Sequence, residues 1–252
     1  MLPTLFQIGP LKIHSFGFMM AMSFLVTTIL AGREFRRRGL DPEYANEAGL
    51  GTMIGGVLGA KIYFLVDHVH DLLADPLAMI FSGSGLTWYG GLIGGALGAL
   101  LVARWRGIGA LRLCDIAAPL LSLGYAIGRV GCFLNGDDYG RPSGVPWAMA
   151  FPAGTPPTLV RVHPTQLYEV IAGLLMFLML TGLKSRVTRT GALFGLYLVL
   201  AGIERFLVEF IRTNDPVLLG LTTAQWFSLG LIVGGGWLYG SRGPREPVSA
   251  TV

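Results

Sequence analysis

Seven stretches of the chain are each long and apolar enough to cross a membrane as a helix. A span needs ~20 mostly apolar residues, and such runs lie at about 16–32, 44–66, 86–103, 115–134, 165–183, 191–212 and 222–240. Of the 252 residues, 52% are hydrophobic and only 13% are charged, whereas roughly 25% are charged in ordinary soluble domains. The sequence therefore predicts an all-α polytopic membrane protein with seven transmembrane helices.

Basic residues are unevenly distributed between the loops that join these runs. One alternate set of loops holds twelve of the nineteen: Arg33, Arg36, Arg37, Arg38, Arg104, Arg106, Arg112, Lys184, Arg186, Arg189, Arg242 and Arg245. The other set holds only Lys12, Arg141 and Arg161. Because short basic loops stay on the cytoplasmic side, we predict an outer N-terminus and a cytoplasmic C-terminus. This topology also explains the net charge of +4, so the charge does not indicate nucleic-acid binding.

The chain reads as one transmembrane domain over residues 1–242, followed by a polar and flexible cytoplasmic tail at 243–252. The longest outer loop, about 135–163, alternates Pro and Gly with short apolar pieces, which predicts a small irregular or β-hairpin cap. Small residues four apart let membrane helices pack closely. This spacing predicts helix contacts at Gly55 and Gly59, at Gly90, Gly94 and Gly98, at Gly124 and Gly128, and at Gly230 and Gly234.

Charged residues inside three of the apolar runs point to a functional site. The segment GRVGCFLNGDDYG, residues 128–140, ends the fourth run with Arg129 and follows it with Asp137 and Asp138. In the sixth run, Arg205, Glu209 and Arg212 follow a spacing of i, i+4 and i+7, which places them on one helix face. The fifth run opens with HPTQLYE, residues 163–169. Ionisable groups in a membrane are costly and are usually functional or paired, so we expect these ends to converge.

Two or three arginines beside carboxylates suit a phospholipid head group, because the guanidinium binds phosphate bidentately and stays charged. A structural alternative is that Arg205, Glu209 and Arg212 only form an ion-pair ladder that fixes the helix. Cys132 lies near Arg129 and could be a nucleophile, although a lone cysteine in a membrane helix is more often packing. No His, Cys and carboxylate cluster has metal-ligand spacing, so we expect neither a metal nor a cofactor.

These motifs, together with WYGGLIGG at 88–95, are where the chain resembles the prolipoprotein diacylglyceryl transferases, over almost its whole length. The resemblance implies a bacterial inner-membrane enzyme whose site faces the outer leaflet. It also implies transfer of the diacylglyceryl group from phosphatidylglycerol to the lipobox cysteine of a prelipoprotein signal peptide, with release of glycerol 1-phosphate. Arg129 and Arg205 would then serve the phosphate, supported by Glu209 and Arg212.

The remaining candidate residues follow from the chemistry of such a transfer. A thiol must lose its proton, and the candidate acceptors are His163, His14 and, less favourably, Tyr89. Asn135 and Asp137 belong to the Arg129 motif and are candidates for substrate binding. Members of the family usually carry His at position 89, and they also differ from this chain at Cys132, Asp137, Phe16 and Ala201.

Two other classes of function are compatible with buried charges in a glycine-rich bundle. A transporter or channel would need a polar path through both leaflets, whereas the inner halves of these runs are apolar. A divergent relative could bind phospholipid head groups with a different acceptor, or without catalysis.

Overall fold

The fold is known from a computed structural model that describes residues 1–9, 11–81 and 87–241. The predicted tail at 243–252 and the last residue of the predicted domain, 242, lie outside the described residues. The described part is mostly helical, as predicted, and it also contains two small sheets. In chain order the helices are α1 (Ser15–Arg37), α2 (Glu43–Asp67), α3 (Val69–Ala74), α4 (Pro76–Phe81), α5 (Trp88–Trp105), α6 (Ala110–Asn135), α7 (Thr165–Leu183), α8 (Ala192–Val208) and α9 (Thr223–Gly240).

Seven of the described helices coincide with the seven apolar runs, and the six-residue helices α3 and α4 are additional. Four of the seven, α1, α2, α6 and α7, meet the length and hydropathy that a membrane span requires. Only 6% of the most apolar window of α1, and of α2, is buried inside the protein. Their outward-facing apolar side chains suit contact with lipid rather than water, which supports the prediction of a membrane protein.

Two units of dense internal contact make up the chain: Met1–Thr27 with Cys114–Val252, and Thr28–Leu113. In the second unit, α2 and α5 pack through glycines. A Cβ built on Gly55 or Gly59 would meet the carbonyl oxygens of Gly94 and Gly90, respectively. The close contact predicted for these glycines is therefore confirmed, and any larger residue there would force the two helices apart.

In the first unit, α8 and α9 also pack through glycines, but through different ones from those predicted. A Cβ on Gly195 would lie 2.7 Å from the carbonyl oxygen of Gly235. Among the described residues, nothing lies within 4 Å of a Cβ built on Gly230 or Gly234. The predicted contact at Gly230 and Gly234 is wrong because spacing alone does not say which face of α9 meets α8.

A buried carboxylate, Asp115, connects α6 to the start of α8. Its two oxygens accept hydrogen bonds from the backbone N–H groups of Gly191, at 2.5 Å, and Phe194, at 2.8 Å. The first N–H groups of a helix have no partner within the helix, and the helix dipole favours a negative charge there. Asp115 therefore stabilises both the first turn of α8 and its attachment to α6.

We expect Asp115→Ala to lower the melting temperature of the detergent-purified protein markedly. Each buried N–H group left without an acceptor costs roughly 1–3 kcal/mol. Asp115→Ala would leave two such groups without an acceptor, those of Gly191 and Phe194. Asp115→Asn keeps one carbonyl acceptor and should lose less. Asp71→Ala, at an exposed aspartate, is the matched control, and an equal melting temperature for Asp115→Ala and this control would contradict the capping role.

Both small sheets are antiparallel hairpins that belong to the first unit. Strands β1 (Thr4–Ile8) and β2 (Leu11–His14) precede α1 and were not predicted. The backbone N–H of Leu2 donates to the carbonyl of Leu134 at 3.0 Å, so this hairpin lies at the C-terminal end of α6. Strands β3 (Met149–Phe151) and β4 (Thr158–Val162) fall inside the predicted cap at 135–163, which is therefore partly a hairpin.

Candidate functional site

Six charged side chains of the first unit meet where α6 and α8 end and α7 begins. We call them the arginine–carboxylate cluster: Arg129, Asp138, Glu169, Arg205, Glu209 and Arg212. Arg129 lies in the last two turns of α6, Glu169 in the second turn of α7, and Arg205 in the last turn of α8. A short 3₁₀ helix, Glu209–Ile211, follows α8 and leads directly to Arg212. The polar ends of the fourth, fifth and sixth apolar runs therefore lie together, as expected from the sequence.

Glu169 is the centre of the cluster and is fully buried. Its Oε2 lies 3.2 Å from Arg129 Nε and 3.8 Å from Arg212 Nη1, and its Oε1 lies 3.6 Å from Arg205 Nη1. The hydroxyl of Tyr125 donates a hydrogen bond of 2.8 Å to Oε1. One carboxylate thus lies between three guanidinium groups that come from different segments of the chain.

Asp138 joins two of the same arginines from the other side. Its Oδ2 lies 2.7 Å from Arg129 Nη1 and its Oδ1 lies 2.6 Å from Arg212 Nη2. The backbone of Asp138 has φ of 61°, a left-handed conformation that aspartate tolerates better than most side chains do. The hydroxyl of Thr165 donates to its carbonyl at 2.7 Å, which fixes this turn.

Asp138 lies in the loop beyond α6, and its surroundings keep it ionised. Burial raises the pKa of its carboxyl, but the guanidinium groups of Arg212 and Arg129 outweigh burial and hold that pKa below its usual range. Because the folded-state pKa is lowered, Asp138 stabilises the fold fully above the usual carboxyl range. This contribution is lost as the pH falls through the lowered pKa.

Glu209 holds the end of α8 in place through neutral partners as well as arginines. It lies 2.7 Å from Arg205 Nη2, and it accepts hydrogen bonds from Asn214 at 2.7 Å and from the hydroxyl of Thr222 at 2.9 Å. Because α8 ends at Val208 and a 3₁₀ turn follows, Arg212 does not continue the α-helical face on which the i+7 spacing placed it. It still lies 4.0 Å from Glu209 and reaches Glu169 and Asp138.

The three arginines are therefore more than a ladder within one helix. Arg205 and Glu209 do form an i, i+4 pair, but all three guanidinium groups also contact a carboxylate on another segment. Three positive groups face three carboxylates, so the cluster is balanced in charge. Arg205 Nη1 is buried and has no hydrogen-bond acceptor within the described residues, and the side chain of Asp138 is 41% exposed.

The other predicted site residues lie in three different surroundings. Asn135 and Asp137 are next to the cluster but bind each other, since Asn135 Nδ2 donates to Asp137 Oδ2 at 2.6 Å. His163 Nδ1 lies 3.2 Å from the hydroxyl of Tyr168, which also accepts from Trp147. His14 is exposed at the end of β2.

Tyr89 belongs to the other unit, Thr28–Leu113. Its half-exposed ring lies 6.5 Å from the ring of Tyr63. Its assignment to the site remains a prediction from the sequence.

Glu169 belongs to the HPTQLYE motif that was expected to converge with the other polar ends, but it was assigned no role in the site, and Tyr125 was not predicted at all. Glu169 is the only charged residue of the nineteen in α7, and a buried carboxylate in such a helix calls for a basic partner. Tyr125 lies one turn before Arg129, whose guanidinium is 5.0 Å from the ring centroid. The lone charge in α7 could have identified Glu169, and the i, i+4 spacing from Arg129 could have identified Tyr125.

Three potential metal ligands lie close together beside the cluster, although the sequence predicted no metal site. Ligand atoms of Cys132, Asp137 and Asp138 are within 4.8 Å of one another. Two arginines already engage Asp138, and Asn135 donates to Asp137. A cation would have to displace these donors and lie beside two guanidinium groups, so the donor set suits a metal poorly.

Comparison with known proteins gives a consistent result over almost the whole chain. The family model described as prolipoprotein diacylglyceryl transferase matches residues 3–240. A phosphatidylglycerol–prolipoprotein diacylglyceryl transferase of Clostridium tetani is 32% identical over 237 residues, which cover 92% of this chain and 94% of the relative. Proteins with the same name from Bordetella avium and Pseudomonas fluorescens are 35% and 34% identical, with coverage of 97% and 99% of this chain and 97% of each relative.

Proposed function

The chain belongs to the prolipoprotein diacylglyceryl transferase family, and we propose that it transfers the diacylglyceryl group of phosphatidylglycerol to the thiol of a lipobox cysteine. The acceptors would be the signal peptides of exported prelipoproteins, and glycerol 1-phosphate would be released. One observation carries the assignment of the site: three guanidinium groups from separate segments converge on one buried carboxylate, Glu169. Convergent arginines are the usual solution for binding a phosphodiester.

We place the site at the outer leaflet of a bacterial inner membrane. The seven helices that match the apolar runs would all cross the bilayer, with the N-terminus outside and the C-terminus in the cytoplasm. The distribution of Lys and Arg between alternate loops supports this orientation, and the relatives named above are bacterial. The cluster lies beside the N-terminal hairpin and the cap, on the side that this orientation assigns to the exterior.

Arg129 and Arg205 would bind the phosphate, with Arg212 beside them. A substrate phosphate adds a negative charge to a balanced cluster, so one resident carboxylate should give way. Asp138 is the best suited, because it is the most exposed of the three cluster carboxylates whereas Glu169 and Glu209 are buried. Glu169 and Glu209 would then keep the guanidinium groups in position. This would explain why the cluster holds more carboxylates than phosphate binding alone requires.

The reaction is a substitution at the glyceryl carbon that carries the phosphate. The thiol sulfur forms a new bond to this carbon, the C–O bond breaks, and the electron pair leaves with the phosphate oxygen. Guanidinium groups held in place by Glu169 and Glu209 would stabilise the charge that develops on this oxygen. They would also favour the thiolate form of a nearby acceptor cysteine.

The alternative of a head-group binder without catalysis is not favoured. The relatives reported above are named as transferases, and their similarity covers most of this chain. A functional test is complementation of a bacterium depleted of its own transferase. We expect the chain to restore growth and to clear accumulated unmodified prolipoprotein. A chain that reaches the membrane in normal amount and restores neither would overturn the proposed function.

Tyr89 gives a prediction about proton transfer within the same assay. Imidazole has a reference pKa ≈ 6.5 and can accept a thiol proton at neutral pH. The tyrosine hydroxyl has a reference pKa ≈ 10, so little phenolate is present at neutral pH to act as a base. If the Tyr89 hydroxyl orients the lipid, Tyr89→Phe should cut activity, whereas Tyr89→His should be tolerated or should improve transfer. Growth rate and prolipoprotein clearance are the measurements, and equal full rescue by all three proteins would remove position 89 from the chemistry.

A further inference from the structure

A fourth carboxylate lies beside the cluster and forms no ion pair with the residues that the structure describes. Glu204 precedes Arg205 on α8, in a helix that is otherwise apolar up to that point. Its Oε1 is buried and has no hydrogen-bond partner among the residues that the structure describes. A buried carboxylate oxygen without a donor is costly and therefore unusual. The three cluster carboxylates, by contrast, each lie within 4.0 Å of at least two guanidinium groups.

Charged and titratable groups from α6, α7, α8 and the segment after the 3₁₀ helix act electrostatically on Glu204. They are Arg129 and Tyr125 on α6, Glu169 on α7, Tyr197 and Arg205 on α8, and Arg212 after the 3₁₀ helix. Three guanidinium groups are already matched by Asp138, Glu169 and Glu209. Charge neutrality is therefore reached when Glu204 carries a proton, and a bound phosphodiester would strengthen this requirement.

Resting on the proposed function, we propose that Glu204 is a catalytic residue that protonates the departing phosphate oxygen and then takes the proton of the acceptor thiol. Its position fits this role because Arg129, Arg205 and Arg212, which would hold the phosphate, all act electrostatically on its carboxyl group. Its unpartnered oxygen offers a site at which a proton can be bound and released without breaking an existing hydrogen bond. Glu169 Oε2 and Glu209 Oε2 also have no hydrogen-bond partner among the described residues, but guanidinium groups lie within 4.0 Å of both oxygens and favour their charged form.

Each proton and electron pair in the step has a definite donor and acceptor. As sulfur bonds to the glyceryl carbon and the C–O bond breaks, the Glu204 carboxylic acid gives its proton to the phosphate oxygen that receives the electron pair. The Glu204 carboxylate left by this step takes the proton of the next acceptor thiol, so that the sulfur of that acceptor attacks as the thiolate that the guanidinium groups favour. The acid form is restored, and no oxidant, reductant or metal is consumed.

The test is steady-state kinetics of Glu204→Gln with phosphatidylglycerol vesicles and a synthetic lipobox peptide. Glutamine keeps the size and shape of the side chain but cannot exchange a proton. General acid–base catalysis typically contributes 10²–10⁴-fold, so we expect kcat to fall by about 100-fold or more, with KM for phosphatidylglycerol changed by less than about threefold. Glu43→Gln, at an exposed glutamate of the other unit, is the matched control and should match the wild type.

A second donor lipid separates proton donation from a structural role. In a diacylglyceryl sulfate ester, the leaving sulfate is a weak base and needs no proton. We therefore expect Glu204→Gln to use this donor at nearly the wild-type rate. With the wild-type protein, kcat for phosphatidylglycerol should fall as the pH rises and Glu204 loses its proton, whereas kcat for the sulfate ester should not show this fall.

Each result has a definite consequence. Normal kcat for Glu204→Gln with phosphatidylglycerol, or equal losses with both donors, would overturn the inference. If the variant does not fold, the two wild-type pH profiles decide, and parallel profiles would also overturn it. Absence of transfer by the wild-type protein with both donors would instead overturn the proposed function itself.

Discussion

Arg129→Ala and Arg205→Ala are each expected to lower kcat/KM for transfer from phosphatidylglycerol by at least about 100-fold. Loss of one hydrogen bond to a charged group costs about 1.5–3 kcal/mol, which corresponds to roughly 10- to 150-fold. Each arginine would also act on the charge that develops on the leaving oxygen, where loss of one donor typically costs 10²–10³ in kcat. The measurement is peptide lipidation by purified variants, with the amount of membrane-inserted protein determined in parallel.

Lysine variants and a distant arginine sharpen this experiment. Arg129→Lys keeps the positive charge but loses the planar fork, so we expect only partial recovery of activity. Arg36→Ala removes an exposed arginine of the other unit and should leave transfer unchanged. Near-normal transfer by both alanine variants would reduce Arg129 and Arg205 to structural ion pairs.

Glu169→Gln is expected to destabilise the folded protein by roughly 3–5 kcal/mol, the usual cost of removing one partner of a buried ion pair. The carboxylate is fully buried between three guanidinium groups, and glutamine would leave one of these charges without compensation. The hydrogen bond from Tyr125 can persist, because the amide oxygen of glutamine is also an acceptor. Chemical unfolding of the detergent-purified protein measures this loss, together with the yield in the membrane.

Phosphatidylglycerol itself provides an internal check on the Glu169 prediction. A bound phosphodiester would replace the missing negative charge, so added phosphatidylglycerol should stabilise Glu169→Gln more than it stabilises the wild type. Glu43→Gln is again the control. A Glu169→Gln protein as stable as this control, with or without the lipid, would show that the ion pairs around Glu169 do not hold the site together.

The helices were predictable because apolar run length and loop charge are properties of the sequence itself. Arg129 and Arg205 could be selected for the same kind of reason, since a charge within an apolar run is costly wherever the helix packs. Glu169 is also a charge within an apolar run. However, its place in HPTQLYE put it near the predicted membrane surface, where water could have solvated its carboxylate without a basic partner. Its central position depends on the rotation of α7 against α6 and α8, which hydrophobicity does not specify.

Rotation of helices also explains what the glycine spacing did and did not predict. Gly55 and Gly59 face Gly94 and Gly90 as expected, whereas α9 meets α8 through Gly235 and not through Gly230 or Gly234. Several glycines spaced four residues apart mark more than one possible face on the same helix. Only the packing partner, which the spacing does not contain, decides between these faces.

Proton acceptors were also hard to predict, because the sequence does not show which groups a given side chain contacts. His163 was selected for its position at the start of the fifth run, but its ring binds Tyr168. Glu204 was not selected, because the i, i+4 spacing singled out Arg205 and Glu209. Its significance depends on the absence of a hydrogen-bond donor near Oε1 within the described residues, which only the three-dimensional arrangement shows.

The most direct test of the proposed transfer follows both products of one reaction. Purified protein is mixed with phosphatidylglycerol vesicles and a lipobox peptide, and peptide mass and released glycerol phosphate are measured by mass spectrometry and ³¹P NMR. We expect one glycerol phosphate for each diacylglyceryl thioether formed, and neither product when serine replaces the lipobox cysteine. Folded protein that forms no thioether, or that releases glycerol phosphate equally with the serine peptide, would contradict the proposed transfer.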